Sequence, residues 1–182
     1  CSTLPCSGQE LRVALGQRVK AVVVPHPGSS PDPEAIRTFA ATKLAYYKGC
    51  LASLSAKELD ISTQALAPKL GIELVELTKV TCTGAGDIHE AEPDYYIHLN
   101  ARILAYAEAT GCDTLMTICN VCTLNLRQAN HTLQNDAALL ARVNDNLATV
   151  GAPPYSGAVE VKHFLWLAAG EKYELLQQAA HR

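Results

Sequence analysis

The sequence predicts an α/β fold in which repeated β-α-β units build a parallel sheet with helices on its faces. Three observations carry this. Apolar runs of strand length recur, as Lys43-Leu-Ala-Tyr-Tyr, Glu73-Leu-Val-Glu-Leu and Thr114-Leu-Met-Thr-Ile. Segments with apolar residues at helical spacing separate them. Each run leads into a cysteine: Cys50, Cys82 and Cys119. Alternation of strand and helix is the pattern of a parallel sheet, whose strand ends on one side gather in space.

Taken in order, residues 1–40 read as an N-terminal arm. It holds one strand, Arg18-Val-Lys-Ala-Val-Val-Val, and then a linker with four prolines between Pro25 and Pro33. Cys1 and Cys6 lie in this arm at a spacing that matches no ligand pattern. The domain proper is expected over 41–182. A strand at about 43–48 leads through a loop carrying Cys50 to a helix near 56–70. Ser53 or Ser55 suits its cap, with Glu58 completing a capping box after Ser55. Pro68 ends its last turn and Gly71 stops it. A strand over 72–77 leads to Thr81-Cys-Thr-Gly-Ala-Gly. A helix follows from Pro93 to Thr110, with Tyr96, Leu99, Ile103, Leu104 and Ala107 on one face. After the strand 114–118, Cys119-Asn-Val-Cys122 opens the next helix. A helix over 136–149, a short strand Val159-Glu-Val-Lys, and one or two C-terminal helices complete the chain.

Composition bounds the function. A chain of 182 residues with 48% hydrophobic content and a formal charge of −3 describes an ordinary globular domain. No basic stripe points to nucleic acid. The longest apolar runs fall short of a bilayer span, and no secretory signal is evident. Seven cysteines, an odd number, fit a metal in a reducing cytoplasm better than a disulfide scaffold. The chain opens on Cys1 rather than Met, which suggests a fragment or a processed product.

Four thiolates suit either an iron–sulfur cluster or a structural zinc. In C-x-x-C at a helix start, both sulfurs face one region, where the helix N-terminus stabilises thiolates. Taken alone, Cys119 and Cys122 fit a dithiol redox pair, half a zinc site or two cluster ligands equally. Gly84 and Gly86 after Cys82, and Gly49 before Cys50, allow tight backbone turns.

The ordered set Tyr46-Tyr-Lys-Gly-Cys50, Ser55-Ala-Lys-Glu-Leu-Asp-Ile-Ser-Thr, Leu70-Gly-Ile-Glu-Leu-Val-Glu-Leu, Cys82-Thr-Gly-Ala-Gly and Cys119-x-x-Cys122 resembles the cysteine-rich CCG domain. That domain occurs in the B-subunit of heterodisulfide reductase and in its counterpart in unusual succinate dehydrogenases and fumarate reductases. It also occurs in iron–sulfur subunits of glycolate and lactate oxidases. The resemblance spans roughly residues 43–168. It implies an iron–sulfur cluster, held here by Cys50, Cys82, Cys119 and Cys122. It also implies an electron-transfer subunit of a larger oxidoreductase rather than a complete enzyme. The implied partners are a flavoprotein subunit, a ferredoxin-like iron–sulfur subunit, or both, with membrane contact only at the surface through them.

Three departures from the family pattern stand out. Thr83 occupies the place of the second cysteine of Cys-Cys-Gly, and in the family five cysteines hold a non-cubane cluster that acts on disulfides. Four thiolates remain here, enough for an ordinary [4Fe–4S] cluster, and a threonine hydroxyl is a poor iron ligand. Lys48 replaces a frequent proline. Members commonly carry two such domains, whereas this chain ends soon after one.

Among other candidates, Cys112 reads as a core thiol. His89 reads as an exposed loop histidine, with a fifth-ligand or proton-carrier role as the alternative. His98 and His131 read as helix-surface residues, while His163 points to the site only if its strand joins the sheet. Glu58 and Asp60 read as cap and surface charges, and Tyr46, Tyr47, Tyr95 and Tyr96 as core and interface. Phe164-Leu-Trp-Leu reads as packing on the sheet in preference to a docking face around Trp166. A zinc-stabilised docking module and a metal-free dithiol protein remain as other classes.

Overall fold

The computed structural model describes residues 41–180. The strand expected at 18–24, the proline-rich linker, Cys1 and Cys6 lie outside the described residues. Four strands, β1 (Thr42–Tyr47), β2 (Ile72–Glu76), β3 (Thr114–Thr117) and β4 (Glu160–His163), pair in the order β2-β1-β3-β4. All three pairings are parallel, with Ala45 opposite both Val75 and Leu115, and Thr117 opposite His163. The α/β expectation holds.

The strand order decides where a site can form. From β1 the chain moves outward to β2, then crosses back past β1 to β3. The connections leaving β1 and β3 therefore diverge to opposite sides, and a crevice opens between their carboxyl ends.

Alternation along the strands divides the core. Ala45, Tyr47 and Leu115 face one way, against α4 (Pro93–Ala109), α5 (Asn120–Asn135) and α6 (Ala137–Thr149). Leu44, Tyr46, Ile72 and Met116 face the other way. There they meet Ala67 and Leu70 of a 3-10 turn and Phe164, Leu167 and Ala168 near the C-terminus. Successive side chains in a strand point to opposite faces, so Tyr46 and Tyr47 end up on different sides of the sheet.

Local sequence explains the helix ends. The helix α2 (Lys57–Leu66) passes into the 3-10 turn Ala67–Leu70, where Pro68 removes a donor and Gly71 closes the turn at φ 64°. Asp136 caps α6 by accepting from the Leu139 amide at 2.9 Å. Pro93 sits in the first turn of α4, which buries Tyr96, Asn100, Ile103, Leu104 and Ala107 on one stripe.

Two expectations are corrected. Cys50 lies in a short helix, α1 (Gly49–Leu54), rather than in a loop. Ser53 and Ser55 do not cap α2: its N-cap is Ala56 with no side-chain hydrogen bond, and Ser53 Oγ donates to the Gly49 carbonyl at 2.7 Å. Folding back onto its own helix lets the serine hydroxyl donate to a nearby carbonyl instead of accepting from the orphan amides of α2. The remaining helices are α3 (Asp87–Ala91), α7 (Phe164–Trp166), which runs on into a π-helical turn Leu167–Glu171, and α8 (Tyr173–Ala180).

Leu104 is fully buried at the centre of the α4 face. Leu104→Ala leaves a cavity that neighbouring helices cannot close, and we expect a loss of about 2–5 kcal/mol in urea unfolding.

Candidate metal centre

The carboxyl edge of the sheet gathers the four sequence-predicted cysteines. Cys50 lies at the start of α1 directly after β1, Cys82 lies in the loop after β2, and Cys119 is the N-cap of α5 directly after β3. Cys122 follows in the first turn of α5. Cys50 and Cys82 are exposed, Cys119 is half-buried and Cys122 is buried.

Gly49 brings the two halves together. It adopts φ 80°, and a Cβ built on it would stand 3.3 Å from Cys122 Sγ and 3.9 Å from Cys119 Cβ. Both the backbone conformation and the space demand glycine here. Gly84, at φ 71°, is constrained in the same way, since a Cβ would meet Leu99 Cδ1 at 3.1 Å and Ile88 at 3.2 Å. These two glycines fix the turns that present Cys50 and Cys82.

Buried hydroxyls hold the C-x-x-C turn. Thr117 Oγ1 and Thr123 Oγ1 bond each other, and both lie within hydrogen-bond reach of the Cys119 carbonyl, at 3.3 and 2.9 Å. The Thr123 amide donates to the same carbonyl at 2.9 Å. Cys119 is thereby fixed through its backbone, independently of its sulfur.

The sulfurs stand as two pairs. Cys50 Sγ and Cys82 Sγ are 3.7 Å apart, and Cys119 is a hydrogen-bonding neighbour of Cys122. Among the described residues no three cysteine, histidine or acidic side chains converge at metal-ligand distance. Burial, and then the Cys119 sulfur, push the Cys122 thiol up to about 12. Burial and the neighbouring Cys82 raise Cys50 as well. Tyr47 lies beneath both pairs: its hydroxyl donates to the Thr81 carbonyl at 2.8 Å. Burial raises its pKa first, and the charges of Cys122, Cys82, Cys50 and Cys119 raise it further. One phenol thus senses all four sulfurs. Soft, closely spaced thiols on ordered turns fit a thiophilic metal or cluster.

The other candidates fall away from this centre. Cys112 is buried at the opposite end of β3, next to Thr110, as expected of a core thiol. His89 is exposed on α3 rather than in a loop, and its ring stacks on Tyr96 at 4.2 Å. His98 and His131 lie on α4 and α5, engaged with Asn146 and Asn135. His163 does join the sheet, is buried, and is occupied structurally: Nδ1 accepts from the Leu165 amide at 3.1 Å and the ring also bonds the backbone of Ile118. Glu58 is exposed on α2, whereas Asp60 is more than a surface charge. It accepts from the Tyr46 hydroxyl at 2.9 Å and pairs with Lys48, which also reaches Glu76 at 2.6 Å. Phe164 and Leu167 pack inward, while Leu165 and Trp166 are exposed and the Arg127 guanidinium lies 5.3 Å over the Trp166 ring.

Sequence reading singled out Thr83 but missed its buried partners Asn100 and Asn125. All three are buried, and Asn100 and Asn125 both bond Thr83. Asn125 carried a signal, because it lies three positions after Cys122 and so on the same helical face.

A parallel α/β domain that collects four cysteines at its carboxyl edge has the architecture of a cysteine-rich domain. Residues 44–127 match the model of the cysteine-rich domain family CCG, and this segment of the chain belongs to that family. The chain is 32% identical over 126 residues to a heterodisulfide reductase B-subunit-like protein of Archaeoglobus profundus, covering 69% of this chain and 42% of that one. It is 36% identical over 133 residues to the 8-methylmenaquinol:fumarate reductase membrane anchor subunit of Wolinella succinogenes, covering 73% and 45%. It thus spans less than half the length of these relatives. A hypothetical protein from Helicobacter pylori shares the fold, with a TM-score of 0.59 at 18% identity over 75% of this chain and 30% of that one.

Gly49→Ala forces a left-handed alanine and drives a methyl group against Cys122 Sγ. We expect about 1–3 kcal/mol of destabilisation in chemical unfolding.

Proposed function

We propose that this domain is an iron–sulfur electron-transfer module of a multi-subunit oxidoreductase, with Cys50, Cys82, Cys119 and Cys122 as ligands. The observation that carries the reading is the meeting of three strand ends, each bearing a cysteine, at the crevice where the strand order reverses. Family membership of the same segment supports it. Two of its relatives are named as a heterodisulfide reductase B-subunit-like protein and a fumarate reductase membrane anchor subunit.

A [4Fe–4S] cluster at this edge would take up and release single electrons. The chain's own contribution is to hold four sulfurs on turns fixed by Gly49, Gly84 and the Thr117–Thr123 hydroxyls. Tyr47 and the apolar layer beneath exclude water from the buried side, while Cys50 and Cys82 leave the opposite side open to a partner. The helices that follow β1, β3 and β4 expose Leu51, Leu54, Val121, Leu124, Leu165 and Trp166. These side chains suit docking of a flavoprotein or ferredoxin-like subunit, because apolar residues at a redox edge bring two centres close without water between them. Among the described residues no helix is long and apolar enough to cross a membrane. Our reading places the domain in the cytoplasm, with any membrane association supplied by partners.

Zinc is the second reading, and one distance favours it. Tetrahedral zinc with bonds of about 2.3 Å sets its sulfurs about 3.8 Å apart, close to the 3.7 Å between Cys50 and Cys82. Thiolates on separate irons of a cubane stand further apart, so the iron reading requires this pair to separate on loading.

Anaerobic purification followed by iron, zinc and acid-labile sulfide analysis decides between them. About four irons and four sulfides per chain, with a reduced-state EPR signal, are expected. Cys119→Ser or Cys122→Ser should abolish both, and chelation should lower the melting temperature because thiolate sites couple metal to folding. Stoichiometric zinc without sulfide overturns the electron-transfer reading.

A further inference from the structure

Thr83 follows Cys82, and among the described residues it is the only polar side chain bonded to Cys122 apart from Cys119. It is 1% exposed. Asn125 Nδ2 donates to Thr83 Oγ1 at 3.3 Å, and Thr83 Oγ1 donates to Cys122 Sγ at 3.8 Å, within the longer reach of sulfur. With a donor already on its oxygen, the hydroxyl directs its one proton toward the sulfur.

The surroundings hold this arrangement in place. Asn100 Nδ2 donates to the Thr83 carbonyl and to the Tyr96 carbonyl, both at 2.9 Å. Asn100 is wholly buried, and its Oδ1 has no hydrogen-bond partner. A buried oxygen without a partner is costly, and the two bonds donated by Asn100 Nδ2 offset that cost. The Tyr96 hydroxyl donates to the Asn125 carbonyl at 3.2 Å. Gly84 beside Thr83 admits no side chain. Two helices therefore hold Thr83 at separate points, Asn100 at its carbonyl and Asn125 at its hydroxyl, beside one tight turn.

We propose that Thr83 is a positioning residue whose hydroxyl donates to the Cys122 sulfur, and that the Asn125–Thr83–Cys122 relay raises the reduction potential of the bound cluster. This rests on the iron–sulfur reading above. A hydrogen bond to a ligand sulfur stabilises the more negative, reduced state of a cluster over the oxidised one. The hydroxyl is not itself a ligand, because its oxygen accepts from Asn125 and a neutral alcohol competes poorly with thiolate for iron. The centre is accordingly a four-thiolate one, with a hydrogen-bond donor built in beside the fourth sulfur.

The test compares Thr83→Val, which keeps shape and loses the hydroxyl, with Thr83→Ser, which keeps the hydroxyl and loses the methyl. Each is purified anaerobically as the full chain, assayed for iron and sulfide, and titrated electrochemically with EPR detection. We expect both variants to load iron and sulfide as the parent does. The midpoint potential should move to more negative values in Thr83→Val and stay at the parent value in Thr83→Ser. Equal potentials in all three loaded proteins overturn the proposal, as does an equal shift in both variants, which would mark a role in shape alone. If Thr83→Val fails to load, Asn125→Ala, which frees the hydroxyl to turn away, takes its place. A loaded Asn125→Ala protein should show a shift of the same sign, and an unmoved potential overturns the relay. A parent protein with zinc and no sulfide overturns the iron–sulfur reading itself, a result distinct from a loaded cluster with unmoved potential.

Discussion

The close approach of the Gly49 backbone to Cys122 is the contact on which the carboxyl edge depends. It brings the exit of β1 against the start of α5, and so sets Cys50 beside the C-x-x-C turn. The strand order makes this approach available, because the connections from β1 and β3 leave in opposite directions and open a crevice between them. A side chain at position 49 would close that space. The left-handed conformation and the missing Cβ are therefore one requirement met by one residue.

Around this contact the interior changes character. Most of the core is apolar and divides cleanly between the two sheet faces. Toward the cysteines it carries two buried polar groups, Thr83 with Asn100 and Asn125, and Thr117 with Thr123. Buried polar groups that are almost fully paired favour one arrangement over its alternatives, because any shift leaves several of them unsatisfied at once. The apolar layers hold the sheet, and the polar layer aims the sulfurs.

Much of this was readable in the sequence, for physical reasons. Apolar runs of strand length, three of them followed by a cysteine, announce both the parallel sheet and the edge that gathers the four thiols. The long helix from Pro93 was legible because its apolar stripe and its opening proline agree. The helix α1 was not, since six residues are too few to establish a period. The serines before α2 looked like caps, yet Ser53 had a carbonyl within its own short helix to bond. Asp60 read as a surface charge because its partner Tyr46 sits fourteen positions away. The Thr83 relay was hidden for the same reason, with partners 17, 39 and 42 positions distant. Composition shows which groups a chain owns, and topology decides which of them meet.

The consecutive tyrosines at the end of β1 carry a further consequence. Tyr46 reaches Asp60 on one face and Tyr47 reaches the Thr81 carbonyl on the other. A slip of β1 by one residue would exchange the faces and break both anchors together. The two phenols thus act as opposed pins that lock the strand's phase, and a cysteine three residues further on inherits that single-residue accuracy.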